Sequence, residues 1–248
     1  MHCFDSAGVE IAYGVEGEGE PILLIHGFAS NGRVNWAATG WVRFLTERGR
    51  QVVSIDNRGH GFSEKLRDPA AYPATAMAED ARRLMDHLGH QRMDVMGYSM
   101  GARIAAFLAI RHPGRVRRMV LAGLAENMIR GLGGSEVIAQ ALEAESLADV
   151  EDAGARAFRL FAQQTGSDRK ALAACMRASR EPLTAEQLAT IGAPVLVVAG
   201  GDDAMAGPVA PLVAAIPGAR GVTLPGCDHM RAVGDPAYKR AVADFLGL

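Results

Sequence analysis

Ser99 lies at the centre of Gly97-Tyr98-Ser99-Met100-Gly101, and two loops far downstream, Gly200-Gly201-Asp202-Asp203 and Pro225-Gly226-Cys227-Asp228-His229, carry the carboxylate and imidazole that would make its hydroxyl reactive. A serine hydroxyl is a poor nucleophile at neutral pH unless an imidazole takes its proton. That imidazole works best when a carboxylate fixes its tautomer and stabilises its cation. The chemistry such a trio could perform is attack on a carbonyl carbon, with an acyl group passing to the serine and then to water. Asp202 and Asp203 both qualify as the carboxylate on position. Asp228 is read as a loop residue, because adjacent residues rarely aim at each other's side chains.

Each of these groups needs an element to hold it. Taken alone, G-x-S-x-G is a weak pattern, but an apolar run, Met93 to Met96, leads into it and a helix-forming run leads out. A serine at such a strand-to-helix turn projects its hydroxyl clear of the backbone, and the N-terminus of the following helix brings unpaired N–H groups beside it. Short apolar strands, Ile22 to Ile25, Val52 to Ile55, Met93 to Met96 and Val116 to Leu121, alternate with helical candidates at Trp41 to Arg48, Ala76 to Leu88 and Ala102 to Arg111. This is the pattern of a mostly parallel sheet with helices on both faces. Val9 to Val15 reads as an antiparallel strand at the start.

The strand signal vanishes between 124 and 189, where the chain is rich in Ala, Glu and Arg with helix starts expected at Ser135, Ser146, Ser167 and Thr184. Thr184 with Gln187 has capping-box spacing. Alternation then resumes with strands Val195 to Ala199 and Gly221 to Leu224 and helices Val209 to Ala215 and Pro236 to Leu246. The expected organisation is one α/β core, 1–123 with 190–248, interrupted by a helical insertion, 124–189. Both later loops follow strands of that core, so they fall on the sheet edge that carries the serine turn, where ligands bind in open α/β sheets.

With His26-Gly27-Phe28 after an early strand and Asp56-Asn57-Arg58-Gly59-His60-Gly61-Phe62-Ser63 after the next, the chain resembles the α/β-hydrolase fold proteins of the esterase, enol-lactonase and C–C hydrolase type. The resemblance covers nearly everything outside the insertion. It implies an eight-stranded-type, mostly parallel sheet with a helical cap, and it implies roles: Ser99 as nucleophile, His229 as base, and Asp203 as acid, since family loops of the form Gly-x-x-Asp count from Gly200 to Asp203. Asp202 remains the alternative. Met100 N–H would supply one oxyanion donor, and the loop after His26-Gly27 the second, from Phe28 N–H or, failing that, Ala29 N–H. The Asp-x-Arg-Gly-His-Gly-x-Ser stretch marks fold membership, and His26 and His60 within these motifs read as structural. Relatives that cleave carbon–halogen bonds or epoxides carry Asp at the nucleophile position, so Ser99 implies acyl transfer or C–C hydrolysis. The cap would line the substrate pocket, with Phe28, Tyr98, Ile138, Phe158 and Phe161 as its candidate walls.

The implied activity is hydrolysis of a small, moderately apolar carboxylic ester, thioester or lactone by an acyl-enzyme. The alternatives are a C–C hydrolase or enol-lactonase of aromatic degradation with the same trio, and a ligand-binding receptor on the same fold. No cofactor and no metal are expected, since His and carboxylates are not grouped at ligand spacing. At 248 residues, 49% hydrophobic and a formal net charge of -2, the chain can bury a large core and has no field favouring nucleic acid or an anionic membrane. Arg111, Arg115, Arg117 and Arg118 read as a solvated helix end and loop. Three scattered cysteines argue for a reducing compartment, and the start Met-His-Cys-Phe-Asp lacks the features of a secretory signal. A cytoplasmic location follows as the expectation.

Overall fold

Runs such as Ile22 to Ile25 and Val195 to Ala199 are apolar at every position because both faces of the sheet they form are covered. In the computed structural model, which describes residues 1–131, 133–178 and 182–248, the strands are β1 (His2–Asp5), β2 (Glu10–Glu16), β3 (Glu20–Ile25), β4 (Arg50–Ile55), β5 (Met93–Tyr98), β6 (Val116–Ala122), β7 (Val195–Gly200) and β8 (Arg220–Leu224). They form one eight-stranded sheet in the order β1-β2-β4-β3-β5-β6-β7-β8. β2 runs antiparallel to β1 and β4, and the rest are parallel.

Strand alternation divides the core in two. Leu23, Ile25, Val95 and Val197 pack with Leu84 of α2 (Ala74–His87), Leu108 of α3 (Met100–Arg111) and Leu212 of α9 (Val209–Ala215). Ile22, Leu24, Met96 and Val198 pack instead with Trp41 and Leu45 of α1 (Trp41–Thr46) and with Tyr238 and Val242 of α11 (Pro236–Leu246). Between β6 and β7 the described residues form α4 (Glu126–Arg130), α5 (Ser135–Glu143), α6 (Ala153–Gln164), α7 (Arg169–Arg177) and α8 (Ala185–Ala189). Residues 132 and 179–181 of the 124–189 insertion lie outside the described residues.

The caps show why two helix starts fall later than expected. Thr184 and Gln187 form the anticipated capping box on α8, and α5 begins at Ser135. Ser146, however, caps only a single 3-10 turn, while α6 is capped by Asp152 and α7 by Asp168 rather than Ser167. A carboxylate at the N-cap satisfies orphan N–H groups and complements the helix dipole as well, so it wins over a nearby serine.

The arginine run is also differently placed. Arg117 Nε and Arg118 Nη2 lie 3.0 and 3.1 Å from the carboxylate of Asp94, which is buried on β5 and is also met by Arg50 at 2.5 Å. A desolvated carboxylate requires such partners. Arg111 and Arg115 pair with Glu79 and Asp86 of α2. The run is thus an ion-pair network at the sheet edge opposite the serine turn.

The Asp56 to Ser63 stretch acts as a staple. Asp56 accepts from Gly32 N–H at 2.7 Å and Phe62 N–H at 2.9 Å, tying the loop after β4 to the loop after β3. Arg58 forks onto Asp80 of α2 at 2.7 and 2.8 Å, and Ser6 Oγ donates to the same carboxylate. Both charges are buried, so Arg58→Met would strand Asp80 without its counter-ion. The expected loss is about 3–5 kcal/mol of unfolding free energy, read as a lower denaturant midpoint at unchanged slope.

Candidate active site

The turn at Ser99 is sterically over-determined. Ser99 has φ 55° and ψ -115°, an unfavourable conformation for a residue with a side chain. It is held from both sides: its N–H donates to Ala122 O of β6 at 2.7 Å, and its carbonyl accepts from Ala102 N–H at 2.9 Å. A Cβ at Gly97 would come within 2.2 Å of Gly101 O, and one at Gly101 within 2.0 Å of Ile25 O. Both glycines are therefore demanded by the closeness of α3 to the ends of β5 and β3. Ser99 is left half-buried at the head of α3, whose first N–H groups have no partner inside the helix.

The acid and base come from the ends of β7 and β8. Asp203 Oδ2 lies 2.8 Å from His229 Nδ1, and its other oxygen accepts from Met205 and Ala206 N–H at 3.0 and 2.9 Å. The carboxylate side chain is fully buried and the imidazole 14% exposed, so the pair is largely removed from water while the ring keeps an open side. With Nδ1 engaged by Asp203, Nε2 is the nitrogen available to exchange a proton. Asp202 is exposed, and its N–H donates to Cys227 O at 3.1 Å, tying the two loops together. Asp228 accepts from Met230 and Arg231 N–H as the N-cap of α10 (His229–Ala232), a one-turn helix that begins on the histidine. The loop reading of Asp228 is therefore also its observed place. Burial, helped by the hydrogen bond to Asp235, pushes the Cys227 thiol up.

The third segment is the loop after β3. Gly27 stands beside the serine: a Cβ on it would be 3.3 Å from Ser99 Cβ. Its own N–H is taken by Asn35 Oδ1 at 3.0 Å, and the turn is closed by Ser30 N–H onto Gly27 O at 3.3 Å with Ala29 at φ 57°. His26 is buried, with Nδ1 donating to Gly27 O at 2.7 Å and Nε2 accepting from Asn57 N–H at 3.0 Å. Burial lowers its pKa against the pull of Asp56, so the ring is neutral and structural. His60 Nδ1 lies 2.9 Å from Arg58 O.

Helices of the insertion touch both candidate oxyanion segments. Thr165, after α6, donates to Ala29 O at 3.0 Å, and Cys175 Sγ of α7 lies 3.9 Å from Met100 Sδ. Phe28 meets Phe158 of α6 edge-on at 5.8 Å between centroids, and His60 at 5.7 Å. Of the candidate pocket walls, Phe28 and Phe158 are thus brought together. Phe161 and Ile138 are half-buried against the main core, and Ile138 also packs inside the insertion beside Ala141 and Val150. Tyr98 is placed elsewhere: its side chain joins the layer under α1 and α11. Asn35, Thr165 and Cys175 carried no recognisable signal in the sequence, and Asn35 sits in a short π-helical turn, Arg33–Ala37, that hydropathy periods do not reveal.

A family described as the alpha/beta hydrolase fold matches residues 20–132, which hold the β3 loop, the staple and the serine turn. The chain belongs to the α/β-hydrolase fold superfamily. Its similarity to solved members spans its whole length. It covers 98% of a hydrolase from Pseudomonas aeruginosa PA01 (TM-score 0.82, 29% identity, all of this chain) and all of the enol-lactonase from Burkholderia xenovorans LB400 (TM-score 0.83, 25% identity, all of this chain). Among curated sequences, 2-hydroxymuconate semialdehyde hydrolase of Pseudomonas putida is 43% identical over 108 residues. That match takes in 44% of this chain and 37% of the relative, so the chain spans well under half of that relative's length. These relatives are hydrolases. No helix among the described residues is long and apolar enough to cross a membrane.

Proposed function

We propose that the chain is a cofactor-independent serine hydrolase that cleaves a small carboxylic ester, thioester or lactone through an acyl-enzyme on Ser99. The observation that carries this reading is the buried 2.8 Å contact between Asp203 and His229 Nδ1, at the same sheet edge as the strained Ser99 turn. Ser99 Oγ attacks the carbonyl carbon while its proton passes to His229 Nε2, and the oxyanion is held by Phe28 and Met100 N–H. Collapse breaks the bond to the leaving group, which takes the proton from His229. Water, activated by the same nitrogen, then releases the acid and restores Ser99. Residues 124–189 act as the cap over the core formed by 1–123 and 190–248, with Phe28, Phe158, Phe161 and Ile138 as the apolar wall. The substrate is a small molecule. Three free cysteines, two of them buried, fit a reducing compartment such as the cytoplasm.

A second reading is favoured by the 43% identity to a 2-hydroxymuconate semialdehyde hydrolase and the full-length likeness to an enol-lactonase. On it, the same three residues serve C–C or enol-lactone hydrolysis. Kinetics on short p-nitrophenyl esters beside vinylogous diketones and enol-lactones decide between them. The ester reading expects kcat/KM highest on the esters and falling as the acyl chain outgrows the Phe28–Phe158 wall. Turnover confined to the diketones or enol-lactones overturns it, and tight binding without turnover of any class overturns both.

A further inference from the structure

We propose that Tyr98 is a positioning residue for the base, locking the main chain of His229 to the strand that carries the nucleophile. The role rests on the serine-hydrolase reading above. Tyr98 is the last residue of β5 and the neighbour of Ser99, yet its side chain points to the opposite layer, where it is 5% exposed. There its hydroxyl donates to the carbonyl oxygen of His229. Its ring stands 5.3 Å from the imidazole, centroid to centroid, at 48°. The seat is made to measure: Gly123, just past the end of β6, faces the ring, and a Cβ there would lie 2.7 Å from Tyr98 Cζ.

His229 needs such a hold because its own element supplies little. It opens a helix of four residues fixed at its start by the Asp228 cap. Asp203 grips the ring at Nδ1, from the loop after β7, which sets the tautomer and one axis of rotation. Asp202 N–H to Cys227 O ties the loop two residues before the histidine, but neither bond fixes the main chain of His229 itself relative to Ser99. The Tyr98 hydroxyl does so by holding the backbone from which the ring extends. Ser99 N–H is itself pinned to Ala122 O, one residue before Gly123, so nucleophile and base are referred to the same point on the β5–β6 pair. Burial, reinforced by the negative charges of Asp203 and Asp228, pushes the phenol above the usual tyrosine range, so it remains a donor. Proton transfer between heavy atoms depends steeply on their separation, and misplacement of about 1 Å costs on the order of a hundredfold in rate.

Tyr98→Phe keeps the ring in its seat and removes only the donor. The bimolecular rate of fluorophosphonate capture, measured per folded molecule against wild type and Ser99→Ala, is expected to fall between about tenfold and a hundredfold. kcat on the best ester of the panel should fall by the same factor with KM within about twofold. The low-field proton resonance of the His229 to Asp203 contact should broaden. A purely structural role would lower the melting temperature and leave all three untouched. Capture by Y98F at the wild-type rate overturns the positioning role while leaving the serine-hydrolase reading standing. A wild type that the probe leaves unlabelled overturns that reading, and the role with it. If Y98F does not fold, the wild type still decides: the Tyr98 hydroxyl proton must exchange slowly with water, and fast exchange removes the bond on which the role rests.

Discussion

Ser99→Ala is expected to abolish covalent capture by a fluorophosphonate and to lower turnover on the order of a million-fold, while the protein stays folded. The size of the loss follows from the residues acting as a unit: once the nucleophile is gone, base and acid have nothing to activate, and only binding and the oxyanion donors remain. The fold should survive because the turn is held by main-chain bonds, Ser99 N–H to Ala122 O and Ala102 N–H to Ser99 O, and by the glycines on either side. Alanine keeps all of these and meets the same φ of 55°. Mass spectrometry of the labelled protein, with circular dichroism on the variant, checks both halves. Labelling of the variant at another serine would remove Ser99 from the nucleophile position.

Asp203→Asn is expected to cost about ten-thousand-fold in turnover, and the hydrogen bonds around it explain why. The oxygen that accepts from Met205 and Ala206 N–H leaves no freedom for the amide to turn. Asn would keep its oxygen there and present its NH2 group to His229 Nδ1. That nitrogen would then have to accept, moving the ring proton to Nε2, where it blocks removal of the serine proton. Asp202→Asn, at an exposed position, should stay within about twofold of wild type. Steady-state kinetics of the two variants side by side test the assignment, and the opposite ranking would move the acid by one residue.

How much of this was legible beforehand varied with the physics behind each feature. The buried strands were readable because both faces of the sheet are covered, which writes continuous apolar runs, and the loops that end them followed from chain order. Asp203 was preferred over Asp202 on the spacing from Gly200, and the geometry puts Asp203, not Asp202, on His229. The sequence reading puts Tyr98 among the candidate pocket walls, and the structure does not. Strand parity points the other way: Met96 and Tyr98 share one face of β5 and Met93 and Val95 the other. Asp94 and its arginines were missed because the registers of β3 with β4 and β5, and of β5 with β6, which bring Arg50, Arg117 and Arg118 to one carboxylate, are encoded by no local pattern. β1 and α10 were missed for their brevity, since four residues carry no period.

Two of the contacts between the insertion and the core, Thr165 to Ala29 O and Cys175 to Met100, have a bearing on protein engineering. The family match ends at residue 132, near the start of the insertion, so caps invite exchange between relatives as interchangeable selectivity modules. On the proposed function each contact lands on a segment that donates to the oxyanion, so a transplanted cap lacking partners for Ala29 and Met100 is expected to slow every substrate alike. A successful chimera has to carry those two side chains across with the cap.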